Sequence, residues 1–94
     1  MAKDPQFAKA KHVVLENLDA IQRNLVRSVE EGMRDTGDDF YNELLGLLAD
    51  TSIVKGWDEL MEIVAKAKTL EIDIAAWMAM RGRTTVSLPW PKKG

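Results

Sequence analysis

The chain has a single histidine, His12, and any imidazole-based acid–base or metal chemistry would depend on it. Glu16 follows four residues later, close enough on a helix to form an ion pair with it. A metal site in a helical bundle needs repeated ligands such as Glu-x-x-His or His-x-x-x-His, and neither pattern occurs in the sequence. The pair is typical of a solvated helix surface. We therefore predict no catalytic residue, no metal site and no cofactor.

Three aspartates, Asp35, Asp38 and Asp39, could form a cation site or a pair of catalytic carboxylates. An EF-hand loop starting at Asp35 would need a glutamate at its twelfth position, where the chain has Gly46. Capping of a helix N-terminus accounts for the same aspartates with fewer requirements. We interpret them as capping residues.

The sequence shows no other pattern typical of enzymes. The glycines match neither a Walker nor a dinucleotide fingerprint, and no serine stands in a Gly-x-Ser-x-Gly context. We predict that the protein is not an enzyme. A helical-bundle enzyme or ligand-binding protein is the third interpretation, which a buried ionisable group lining a pocket would support.

Nucleic-acid binding is the second interpretation. The acidic net charge of the chain disfavours indiscriminate binding to a polyanion. The net charge is −2, but residues 74–94 carry four basic side chains and no acidic one. A helix-turn-helix reader needs basic or amide residues at the start of its recognition helix, whereas the third predicted helix begins with Asp58, Glu59 and Glu62. Binding would therefore rely on the basic C-terminal arm, with Trp90 as a stacking residue.

Hydrophobic periodicity predicts an all-α fold of three helices, two long and one short. Apolar residues recur every three or four positions, most clearly between Trp57 and Met80. Predicted helices cover about 5–33, 39–50 and 53–81 within a helical domain of residues 1–82. The third start is ambiguous, because Gly56 could separate a short turn from a helix that begins near Trp57.

Residues 83–94 form a predicted extended arm, because Pro89 and Pro91 disfavour helical backbone. Its stiff frame lowers the entropy lost when the Trp90 ring is buried. Two interpretations stay open: the arm folds back over helices 1 and 3, or it binds a partner protein. The predicted partner-binding residues are Leu88, Pro89, Trp90, Pro91, Trp77 and Met78, with core packing as the alternative for the methionine.

Helix length suggests a homodimer. A first helix of about 28 residues would be ~42 Å long, whereas a compact chain of this size has a radius of gyration near ~12 Å. A second copy is the simplest cover for the excess apolar surface. An elongated monomeric bundle is the alternative.

The sequence has no predicted signal peptide and no apolar run of the ~20 residues that span a bilayer. We therefore expect no membrane partner and a cytoplasmic protein without disulfides. The leading interpretation is a small regulatory or adaptor protein that acts by binding another protein.

Overall fold

The computed structural model describes residues 4–30, 37–80 and 82–92. These residues form three helices and no strand: α1 (Pro5–Glu30), α2 (Gly37–Ile53) and α3 (Trp57–Ala79). The predicted all-α fold is confirmed. Positions 31–33 at the predicted end of the first helix, and the Asp35 side of the aspartate cluster, lie outside the described residues.

The start of α1 is set by Asp4, whose carboxylate caps the helix. Its Oδ1 accepts hydrogen bonds from the backbone N–H groups of Gln6 at 3.0 Å and Phe7 at 3.1 Å. Pro5 takes the first helical position, where its missing N–H leaves no donor unsatisfied. The aspartate and proline therefore fix this boundary together.

The helix α2 extends beyond the predicted range of 39–50 at both ends. The hydroxyls of Thr51 and Ser52 do not break it, because they donate back to the carbonyls of Leu47 at 2.7 Å and Ala49 at 2.7 Å. Bonds of this kind satisfy a hydroxyl inside a helix. The next helix therefore begins at Trp57, after an extended Gly56, which is the later of the two starts that the sequence allowed.

The end of α3 is closed by Gly82, as a glycine after the last turn predicts. Its φ of 79° lies in the left-handed region, and its N–H donates to the Ala79 carbonyl at 3.1 Å. The N–H of Arg83 then donates to the Met78 carbonyl at 3.0 Å, which completes a Schellman motif. This turn directs the following arm back towards the helices.

The apolar stripes of the three helices meet in one continuous core along an elongated molecule that measures 50 × 20 × 17 Å. At ~1.5 Å per residue, α1 alone is ~39 Å long, which accounts for most of the long axis. The largest fully buried side chains are Leu18, Leu25, Leu44, Leu60 and Met78. Among the described residues, no helix combines the length and the apolarity needed to cross a membrane.

Candidate functional site

The C-terminal arm lies extended along α1 and α3. Near its start, Val86 and Leu88 line a small cavity of about 100 Å³ with Ile21 and Asn24 of α1. Near its end, the residues after Leu88 line a second depression with the opposite end of α1, beside Lys9. The arm therefore runs antiparallel to α1.

Length supports this alignment. Seven extended steps from Thr85 to Lys92 span ~22 Å, and the 15 helical steps from Asn24 back to Lys9 also span ~22 Å. Residues 85–92 in an extended conformation can therefore lie along residues 9–24 of α1 without a bulge or a loop.

Two polar side chains hold the arm. The Glu71 carboxylate of α3 accepts the backbone N–H of Leu88 through Oε2 at 3.0 Å and the indole Nε1–H of Trp90 through Oε1 at 3.1 Å. From α1, the amide Nδ2 of Asn17 donates to the carbonyl of Pro89 at 2.8 Å. Together they bind consecutive positions of the arm from both helices, so the arm is recognised as a peptide would be.

Apolar contacts complete the docking. Leu88 and Trp90 are partly buried and pack against the core cluster, whereas Pro89 remains exposed. The described part of the arm forms no strand, and beyond Arg83 its backbone is held at Leu88 and Pro89 by side chains of the helices. Contacts of this type are fewer than those of a strand in a sheet, and the arm is therefore held less firmly than the helices.

The depression at the arm's end, about 440 Å³ in volume, brings together Trp57, Trp90 and the two flanking prolines. Trp57 is fixed there by Asp4, whose Oδ2 accepts its indole Nε1–H at 2.8 Å, and by an edge-on contact with Phe7 at 5.5 Å. The hydrogen bond from Trp57, followed by that from the Phe7 N–H, lowers the pKa of Asp4 below its ordinary value. The depression thus combines two oriented indoles with the cations of Lys9 and Lys92.

The remaining predicted site residues, Trp77 and Met78, lie in the core with 7 % and 1 % of their surface exposed. Trp77 contacts Phe40 edge-on at 5.7 Å, and the Met78 sulfur accepts a hydrogen bond from Asn24 at 3.6 Å. The structure thus brings Leu88, Pro89, Trp90 and Pro91 together on one surface and places the other two apart from them, inside the bundle. Their role in partner binding stays a prediction.

His12 and Glu16 form the surface pair that their spacing predicts, with Nε2 and Oε1 2.8 Å apart on exposed side chains. Within residues 4–30, 37–80 and 82–92, no group of three or more histidine, aspartate or glutamate side chains is arranged to hold a metal ion.

Sequence reasoning did not identify Asn17 and Glu71 as the arm's anchors. Asn17 carried a signal, because it stands on the apolar stripe between Val14 and Ile21 and is buried. A buried amide needs a hydrogen-bond partner, and none was evident nearby in sequence. Glu71 carried no comparable signal, since a glutamate on a helix usually faces water.

Comparison of the chain with protein-family models, with curated proteins and with solved structures found no match.

Proposed function

We propose that this protein is a small non-enzymatic regulatory or adaptor protein that acts by binding another protein through its arm, residues Leu88 to Pro91. The observation that carries the proposal is the paired acceptance by Glu71 of the Leu88 N–H and the Trp90 indole. A binding segment held by a few hydrogen bonds and two partly buried side chains is stable in place and still exchangeable. A partner can compete for it.

Tryptophan in a stiff extended frame suits this role. Trp is enriched among the residues that dominate interface energetics, and proline reduces the conformational entropy lost on binding. In the docked state the prolines and part of the indole remain accessible to another protein. Release of the arm would present all four residues.

The experiment uses the full chain as bait in an extract of the source organism and compares it with a chain ending at Gly82. We expect truncation and Trp90→Ala to abolish capture. Glu71→Gln should increase it, because a glutamine cannot accept both N–H groups and the arm is released. Thr84→Ala, an exposed change on the same arm, is the matched control and should capture normally.

Capture that survives truncation at Gly82 would refute the proposal. Loss of capture in the Thr84→Ala control as well would mean that any change in the arm disturbs binding, and the assignment to Leu88–Pro91 would then fail.

We also propose that the protein works as a homodimer. Large apolar side chains remain exposed on all three helices, including Leu45 on α2 and Ile72 on α3. Light scattering on a sizing column tests this with the full chain and the chain ending at Gly82. A dimer in both forms places the interface on the helices, a dimer lost on truncation makes the arm a clasp between copies, and a monomer in both forms refutes the dimer.

A further inference from the structure

A second surface, separate from the arm, lies between α2 and α3. It is an open groove of about 540 Å³. Its floor is formed by Leu47 and Leu70, which are buried and continuous with the core. The walls are low because Gly46 on α2 and Ala65 on α3 carry little or no side chain there. The result is an apolar trough open to solvent along its length.

Gly46 is the informative residue of this groove. It lies in the interior of α2, its backbone does not have a positive φ, and a Cβ built on it would meet nothing within 4 Å. Neither backbone conformation nor internal packing therefore requires a glycine here. Glycine is unfavourable inside a helix, and what it provides at this position is a low wall that leaves the groove open.

The rim of the groove is acidic. Glu43, Asp50 and Asp73 line it, with Lys66 as the single cation among the lining residues that the structure describes. None of these four side chains takes part in an ion pair within the described part of the chain. Their charges are therefore available to a partner, and they favour a positively charged one.

We propose that this groove binds a basic amphipathic helix of another protein as the fourth helix of the bundle. A helix suits the site because the backbone groups of α2 and α3 are paired within each helix, so an extended peptide would find no edge to pair with. From Glu43 to Asp50 the groove is ~10 Å long, enough for about two helical turns. The apolar face of the partner would rest on Leu47 and Leu70.

A second copy of this chain is a poorer occupant. In a symmetric pair the same surface meets itself, so the carboxylates of Glu43, Asp50 and Asp73 would face those of the other copy. Like charges across an interface disfavour association. The groove and the arm also use different sides of α3, so this inference does not depend on the proposed role of the arm.

The test uses the full chain and a labelled synthetic peptide of about 14 residues, ~21 Å long as a helix, with leucine and alanine on one face and lysine on the other. A second peptide keeps the apolar face and replaces every lysine by glutamate. Fluorescence anisotropy should show saturable binding of the lysine peptide, weakened by salt, and no saturation with the glutamate peptide.

Two variants locate the binding. Gly46→Leu fills the groove without changing charge and should weaken binding roughly tenfold, as should the double reversal Glu43→Lys with Asp73→Lys. The matched control reverses two exposed charges of α1, Glu16→Lys with Asp19→Lys, and should retain most of the affinity. Ala65→Leu repeats the filling from α3 if Gly46→Leu alters the helical circular dichroism.

Several outcomes would overturn the proposal. They are no saturable binding of the lysine peptide, equal binding of the two peptides, or unchanged binding in both filled variants. Equal losses in the groove reversal and the α1 reversal would show general attraction of a cation to an acidic protein. A dimer in light scattering that Gly46→Leu dissociates would make a second copy the occupant.

Discussion

Two glycines allow a sharp test of how backbone conformation, separated from packing, sets the stability of this chain. A Cβ added to Gly46 or to Gly82 meets nothing within 4 Å, so neither substitution by alanine creates a clash. The two differ in conformation: Gly46 is inside α2, whereas Gly82 has a φ of 79°. Any difference in the effect of alanine must therefore come from the backbone.

The magnitudes follow from this difference. Alanine is more favourable than glycine in a helix interior by about 1 kcal/mol, so Gly46→Ala should raise the free energy of unfolding by about that much. In the left-handed region an L-residue costs about 1–2 kcal/mol, of which roughly 0.4–1 kcal/mol is offset by the lower entropy of the unfolded chain. Gly82→Ala should therefore lower the free energy of unfolding by about 1 kcal/mol.

Urea unfolding followed by circular dichroism measures both changes, with an unchanged slope against urea as the check on two-state behaviour. Midpoint temperatures should separate the two variants by roughly 10 °C, since 1 kcal/mol shifts a domain of this size by about 4–8 °C. Shifts of the same sign in both variants would refute the reasoning. Destabilisation by Gly46→Ala would mean that the open space above it is occupied in solution.

Three further changes probe the arm, the helix start and the core. Glu71→Gln should shift the indole N–H resonance of Trp90 towards that of a solvated indole, because a glutamine cannot accept both N–H groups and the arm is released. Asp4 has a lowered pKa in the folded chain, so its contribution to stability is present above 3.8 and is lost as pH falls through the folded value. Asp4→Asn should remove that dependence, measured by unfolding across acidic pH and by the Trp57 indole resonance. Leu44→Ala, at a fully buried position, should lower the free energy of unfolding by about 2–5 kcal/mol.

Each of these changes has a neighbouring control. Glu62→Gln, on an exposed position of α3, should leave the Trp90 resonance in place, and a shift there would mean that the arm responds to charge at a distance. Leu45→Ala, at a position 43 % exposed, should cost far less than its buried neighbour. An Asp4→Asn protein that still loses stability over the same pH range would assign the effect to another carboxylate.

The helices were predictable because their information is local. The buried side chains of α3 recur at steps of mostly three and four residues, as a period of 3.6 residues requires: Leu60, Ile63, Val64, Ala67, Leu70, Ile74, Trp77 and Met78. The end of that helix was equally predictable, since a helix terminator with left-handed backbone is usually a glycine, and Gly82 is in that conformation. Both signals lie within a few residues of the feature that they specify.

The boundary between α2 and α3 was harder to predict from the sequence, because the hydroxyls of Thr51 and Ser52 can form two kinds of hydrogen bond. They can cap the start of a helix or donate to a carbonyl of the preceding turn, and the predicted helix boundaries at 50 and 53 correspond to the first use. The structure shows the second, with Thr51 fully buried. A hydroxyl that is to be buried needs an acceptor nearby, and the preceding turn supplies it.

The arm was the hardest part to place because its contacts are distant in sequence. Asn17 and the carbonyl of Pro89 are separated by 72 residues, and Glu71 reaches Leu88 over 17. An extended segment without a sheet has no periodic partner, so no pattern in residues 83–92 indicates which residues of helices 1 and 3 it contacts. Its alignment follows only when the lengths and ends of α1 and α3 are known.

The same contacts predict what removal of the arm does to the fold. Among the described residues, every buried apolar side chain lies between Ala10 and Met78, and the arm adds only the partly buried Leu88 and Trp90 at the edge of that core. Half-burial of Leu88 and Trp90 contributes about 1 kcal/mol each, and ordering the arm offsets part of this. A chain ending at Gly82 should therefore keep its helical circular dichroism and its cooperative unfolding while losing at most about 2 kcal/mol.

Calorimetry and urea unfolding of the truncated chain test this directly. A loss of cooperativity or of helical signal would show that the arm is part of the core, and exchange of the arm with a partner would then require unfolding of the bundle. A small loss with full cooperativity means that the arm can leave the surface of α1 and α3 while the helices stay folded. Because a stable bundle with a weakly held aromatic segment can release that segment without unfolding, this result is the physical condition that an adaptor acting through its arm must meet.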